Sequence, residues 1–431
     1  MKMIPEEEKK TILRFNPLLQ TPVDNAGIYN NRGSDHIQQG DLDKALLDYD
    51  QAIKIDPQDA KAYANRGVAF ILKGEKDQAL ADFTRALSLN PHLAQVYTDR
   101  GTIYADLGDE DSALADYRQA ISLEPDNFAA YMNRGTLYKQ KGDLNKAIAD
   151  YTRAIKRNRD FALVYYSRGI AYMGKKELNK AIGDFSQAIR LQPVYAEAYL
   201  NRGNTYMQKN EMDKALEDYT WVITLNPGTV TAYVNRATAY LIKGELDQAL
   251  ADLNQVMELN PHLTQAHLNR GFVHAHKREW DQAFADYDQA IHLSPHEAEV
   301  YRQRGMAYRD KGDLDRALED FNQAARLNPH NPACYDNLAQ VYLQKGDPDQ
   351  TVAFCTKAIK LDPQDVLAYL NRGDAYKVKG DREKAITDYH RAITIGSHAT
   401  AYMKRGLLYV EQGDLDRAME DFNQAIRLTP P

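Results

Sequence analysis

The chain has 431 residues, 43% hydrophobic and 27% charged, with a mean hydropathy of −0.62. That composition supports a large buried core and excludes a globally disordered chain. A net charge of −7 disfavours nucleic acid as a main partner, because proteins that bind phosphate backbones carry a basic face.

Residues 1–25 stand apart as a leader. Met1 to Lys10 reads MKMIPEEEKK and lacks the apolar stretch of a secretory signal. Pro5 to Phe15 is expected to form a short amphipathic helix, stopped by Asn16-Pro17, and the leader is expected to cap the first helices after residue 25. No later run approaches the roughly 20 apolar residues of a membrane span. Two cysteines, Cys334 and Cys355, make no disulfide framework. Together these features favour the cytoplasm.

From residue 26 onward the sequence repeats itself. Arg-Gly pairs end at Gly33, Gly67, Gly101, Gly135, Gly169, Gly203, Gly271, Gly305 and Gly373, in steps of 34 residues or a multiple, and Gly406 comes after a step of 33. With that glycine as position 8, repeats begin at Ala26, Ala60, Ala94, Phe128, Ala162, Ala196, Val230, Thr264, Ala298, Pro332, Val366 and Ala399. In the second repeat Tyr63, Gly67 and Phe70 share one face of a first helix, which Gly74 ends. Ala79, Phe83 and Ala86 form the inner stripe of a second helix, which Asn90-Pro91 stops. Small residues at positions 8, 20 and 27 let the helix axes approach, and most tyrosines and glycines are thereby architectural.

Position 7 is Arg and position 23 is Asp in every repeat except the tenth, which has Leu338 and Phe354. Loss of both charges together implies a contact between the two helices of a repeat, for example Arg66 with Asp82 and Arg134 with Asp150. Repeats five to eight carry an unusually apolar set beside position 6, including Leu163, Tyr166, Ile170, Met173, Leu200, Met207, Val234, Leu241, Ile242, Leu268 and Phe272. Repeats nine and ten are more charged there, with Glu299, Arg302, Arg309, Asp310 and Asp336. Repeat ten also departs from the pattern at Pro332, Ala339, Pro348 and Thr351, and repeat eleven ends Gly396-Ser397-His398, so an irregular joint is expected across 332–398. The array stops at Pro430-Pro431 with no further helix over its apolar face, which suggests self-association through the last repeat.

Tyr63, Gly67, Phe70, Ala79, Phe83, Ala86 and Pro91 match the tetratricopeptide repeat position by position, and the resemblance extends over residues 26–431. It implies an all-α solenoid, a right-handed superhelix of about twelve helix-turn-helix units, with first helices lining a concave groove. Tyr at position 4 and Arg at position 7 depart from the Trp and Leu the family often has there.

Position 6 reads Asn31, Asn65, Asp99, Asn133, Ser167, Asn201, Asn235, Asn269, Gln303, Asn337, Asn371 and Lys404. A carboxamide donates and accepts, so a ladder of them suits an extended peptide backbone whatever its sequence. The row is similar to the asparagine ladder in the repeat region of O-linked GlcNAc transferase. Residues expected to bind peptide are Asn133, Tyr166, Asn201, Asn204, Met207, Asn235, Leu241, Asn269, Phe272, Asn337 and Asn371. Alternatively Asn at position 6 hydrogen-bonds the neighbouring repeat.

No nucleophile, base and orienting acid come together, and the glycines form no phosphate loop, so no enzyme and no cofactor is expected. His267, His274 and His276 are the densest histidines, but the first two occupy tyrosine positions, so core packing is expected over metal. The leading reading is a scaffold or adaptor that binds a protein or peptide partner. Its alternatives are a self-assembling structural protein and the regulatory subunit of an enzyme complex.

Overall fold

A computed structural model of the protein describes residues 25–396 and 398–428. The cap expected before residue 25, and Ser397 in the short eleventh repeat, lie outside the described residues. Twenty-four α-helices succeed one another along the chain, with no strand among the described residues. First helices start at Asn25, Ala60, Ala94, Phe128, Ala162, Ala196, Val230, Thr264, Ala298, Pro332, Val366 and Ala399. The chain divides into two units, Met1–Asn226 with repeats one to six and Pro227–Pro431 with repeats seven to twelve. Within each unit a second helix packs on its own first helix and on the first helix of the next repeat.

The local chemistry of the second repeat explains the hairpin. Its first helix, Ala60–Lys73, is capped by the Asp59 carboxylate, which accepts from the Lys61 amide. Gly74 then adopts φ 82°, the left-handed conformation that closes a helix. The second helix, Lys76–Leu89, ends where the Asn90 amide donates to Ala86 and Pro91 comes next. Position 15 is left-handed in every repeat: nine times it is glycine, but Lys176, Asn210 and Arg278 hold φ of 60–61° there. Such a conformation costs a residue with a Cβ about 1–2 kcal/mol.

The hairpin closes around one ring. At each of the ten position-8 glycines, a Cβ would lie only 2.5 to 2.9 Å from Cε1 of the Tyr or Phe at position 24. The two repeats with alanine at position 8 have lost the ring: Ala237 pairs with Leu253 and Ala339 with Cys355, all fully buried. The methyl group and the ring compete for the same volume, and the chain keeps one of them.

Repeat ten retains regular helices, Pro332–Gln344 and Pro348–Leu361, each with proline in its first turn where a missing amide costs nothing. Its second helix packs on Val366–Val378 as the other second helices do on their neighbours. Cys334 and Cys355 are buried free thiols.

Candidate functional site: the first-helix rows

Eleven arginines at position 7 donate through Nε and Nη2 to both oxygens of the aspartate at position 23, at 2.5 to 2.9 Å. Arg66 with Asp82 and Arg134 with Asp150 show this geometry. In several repeats the remaining nitrogen, Nη1, crosses to position 25 of the preceding repeat, as in Arg168 to Thr152 at 3.0 Å and Arg202 to Ser186 at 2.9 Å. The guanidinium also lies over aromatic rings; Arg66 sits 5.6 Å from the Tyr63 ring and 5.9 Å from that of Phe70. Each such cation is thus consumed in joining helices and offers little to a ligand. In repeat ten Phe354 stacks 5.4 Å from Tyr342 while Leu338 is buried, which replaces the ion pair by apolar packing.

Position 6 faces the seam between consecutive repeats. Asn65, Ser167, Asn337 and Asn371 are buried, and the other eight residues of the row are half-buried. The reason is a second buried stripe. Positions 3 and 10 are buried in repeats two to twelve, and position 6 lies three and four residues from them on the same helix face. Asn65 donates to Asn30 (2.9 Å), Asn133 to Thr102 (3.0 Å), Asn201 to the Tyr166 hydroxyl (3.0 Å) and Lys404 to Asp374 (2.8 Å), each across one seam. Asn269 accepts from Gln265 (2.8 Å) along its own helix. Asn65 Oδ1, Asn337 Nδ2 and Asn371 Nδ2 are buried without a hydrogen-bond partner. Asp99, held by Gln95 at 2.8 Å, has its carboxyl pushed up to about 7 by burial.

The other residues of the expected site divide by unit. In the first, Asn204 accepts from Tyr219 (2.8 Å), Tyr166 packs 5.0 Å from Tyr195, Met207 is half-buried and Leu163 is exposed. In the second, Asn235 is half-buried, Leu241 packs against the core around Leu253 and Val256, and Ile242 is exposed. The Phe272 ring lies against that of His276, with ring centres 3.9 Å apart and planes tilted by 40°.

That ring pair walls a cavity of about 400 Å³ between repeats eight and nine. From repeat eight it is lined by Phe272, Ala275, His276, Arg278, Trp280 and Tyr287, and from repeat nine by Gln303, Met306, Ala307 and Asp310. The first helices Thr264–His276 and Ala298–Lys311 pack together beside it. Position 12 is alanine at Ala105 and Ala275, and Ala275 lines the cavity at the position where other repeats carry Ile37, Met173 or Leu241. Trp280 is the single aromatic at position 17. Those two departures, with Arg278 where glycine is usual, are signals in the sequence that periodicity alone passes over.

Repeat eight differs in its core as well. His267 places Nδ1 3.2 Å from Asp286 and Nε2 3.0 Å from the Pro261 carbonyl, the place a position-4 tyrosine reaches elsewhere, as Tyr335 does with Pro329. His274 lies 2.6 Å from Glu279, whose carboxyl it holds below its usual range. No group of metal-binding side chains forms among the described residues. No helix among them is long and apolar enough to cross a membrane.

Helical hairpins of one length, closed by a recurring set of ring, glycine and alanine positions, define a class of repeat protein in which each unit packs on its neighbours. The TPR repeat pattern matches residues 33–74, 101–142, 135–176 and 171–210, and tetratricopeptide repeat patterns match 60–93, 196–228, 234–298, 271–335, 332–365 and 370–431. The chain belongs to the tetratricopeptide repeat family. No curated protein matches the sequence. Among solved structures, yeast Tom70 is 17% identical, covering 94% of this chain and 99% of that one with a TM-score of 0.47. A chain of the APC/C hetero-tetramer Cut9-Hcn1 is 13% identical, covering 98% of this chain and 96% of that one at 0.45. The MamA protein is 31% identical over 39% of this chain and 92% of its own, at 0.38.

Proposed function

We propose that the chain is a non-catalytic scaffold that holds an extended peptide or a partner's helix along its first helices. The observation that carries this reading is the cavity on the repeat-eight and repeat-nine first helices, because a fold that packs the same hairpin repeatedly has no structural need for a gap. Apolar side chains left partly open beside the seam, Leu163, Met207 and Ile242 among them, fit the same role. The half-buried amides of Asn133 and Asn201 then act twice, donating across the seam through Nδ2 and serving a ligand through Oδ1.

Photocrosslinking tests this. A benzophenone amino acid at Met207, Leu241 or Phe272 should capture partner, while the same group at Leu47 or Trp221, exposed on second helices, should not. Equal capture from second helices would overturn the reading.

Self-association is a second reading. Met403, Leu407, Val410, Leu415, Met419 and Ile426 are all exposed in repeat twelve, an apolar row of the kind that marks an interface. Sedimentation velocity of Met419→Glu against the unaltered chain checks it: a concentration-dependent species should disappear in the variant.

A further inference from the structure

We propose that the cavity of repeats eight and nine is the anchor site for an acidic peptide, taking one large apolar side chain with a carboxylate beside it. This rests on the groove reading and adds to it the chemistry of the ligand.

The cavity walls are rings and a thioether: Phe272 against His276, Trp280, Tyr287 and Met306. Such a lining favours a planar or branched apolar group, and 400 Å³ lies within the roughly 300–1,000 Å³ of small-ligand sites. The rim supplies the sign of the charge. Asp310 is neutralised by Arg309 at 2.9 Å, and Lys277 by Asp247 at 2.8 Å. Arg278 is exposed at the rim and makes no ion pair among the described residues. It is therefore the uncompensated charge of the site, with a planar fork suited to a carboxylate.

Two further features mark the site. Arg278 holds φ at 60°, as Lys176 and Asn210 do at the same position, where nine repeats use glycine, and of these three side chains it alone lines the cavity. Gln303 spends its NH2 on Glu299 at 2.7 Å, which keeps its carbonyl oxygen as an acceptor for a peptide amide. Trp280 has no aromatic counterpart at position 17, Ala275 shares its small side chain at position 12 with Ala105 alone, and both line this cavity with Arg278.

The chain has two tryptophans, so Trp221→Phe leaves Trp280 as the reporter of occupancy. The probe is an acetylated, amidated hexapeptide of glycine with a central Phe-Glu, compared with Phe-Gln and Ala-Glu forms. Saturable change in Trp280 emission is expected with Phe-Glu, about tenfold weaker binding with Phe-Gln, and none with Ala-Glu. Ala275→Leu, which puts in this repeat the residue found at Leu241 and Leu343, should abolish binding by filling the cavity. Arg278→Gly relieves the strained backbone and so keeps the fold; it should weaken Phe-Glu about tenfold and leave Phe-Gln unchanged. No response to Phe-Glu at millimolar concentration, or equal binding of Phe-Glu and Phe-Gln, overturns the proposal. Partner capture through Met207 and Leu241 that survives Ala275→Leu overturns the anchor site and leaves the groove reading standing.

Discussion

Replacing Gly67 by alanine would put a methyl carbon 2.6 Å from Cε1, 2.8 Å from Cδ1 and 3.1 Å from Cζ of Phe83. Carbon atoms rest about 3.5–4.0 Å apart, so the nearest contact is short by about 1 Å. The ring is fully buried, and retreat would move it into its neighbours. Over-packing of this kind costs about 1–3 kcal/mol. Alanine recovers about 1 kcal/mol of helix propensity against glycine, leaving a net loss of up to about 2 kcal/mol. In a Phe83→Leu background the clash is gone and only the propensity gain remains, so Gly67→Ala should there stabilise by up to about 1 kcal/mol. Ala237 with Leu253 is the natural counterpart of that double variant. Because repeat arrays unfold in parts, native-state hydrogen exchange over residues 60–89 is the fitting assay. The reasoning fails if Gly67→Ala has the same effect in both backgrounds, or stabilises in both.

Three other outcomes are expected. Asp82→Ala should cost about 2–4 kcal/mol, since it strands the Arg66 guanidinium, and clearly less in an Arg66→Leu background; a double-mutant cycle by denaturant titration measures the difference. Burial and the neighbouring Asp365 carboxylate push Asp336 up to about 8, so between about pH 4 and 8 the folded chain keeps a proton that the unfolded chain has released. Stability of repeat ten should therefore fall as pH rises through that window, by at most about 1.4 kcal/mol per unit, and Asp336→Asn should flatten the dependence seen in thermal melts. Lys176→Gly should stabilise by about 0.5–1 kcal/mol by removing a left-handed side-chain-bearing residue, whereas Lys176→Ala should not; hydrogen exchange in repeat five distinguishes them.

The arginine-aspartate contact was legible because repeat ten changed both partners at once. The glycine-ring contact was just as legible, in Ala237 with Leu253 and Ala339 with Cys355, but it required comparing positions 8 and 24 across repeats. Position 6 was harder. A 4-8-11 stripe accounts for packing within a hairpin, and a residue off that stripe reads as open surface. A first helix in an array also meets the repeats before and after it, so positions 3, 6 and 10 form a second contact face. Asn65 bonded to Asn30, and Asn201 to Tyr166, belong to that seam.

Fold, repeat boundaries and turn chemistry follow from the amino-acid order alone, because each depends on residues at most one hairpin apart and is stated twelve times over. Which amides are spent between repeats, and where a gap opens, depended on the tertiary structure. The cavity beside Phe272 arises from a short side chain at Ala275, a long one at Trp280 and the thioether of Met306 in the next repeat. An empty volume is a property of how several side chains fail to meet, and no single position in a sequence records it.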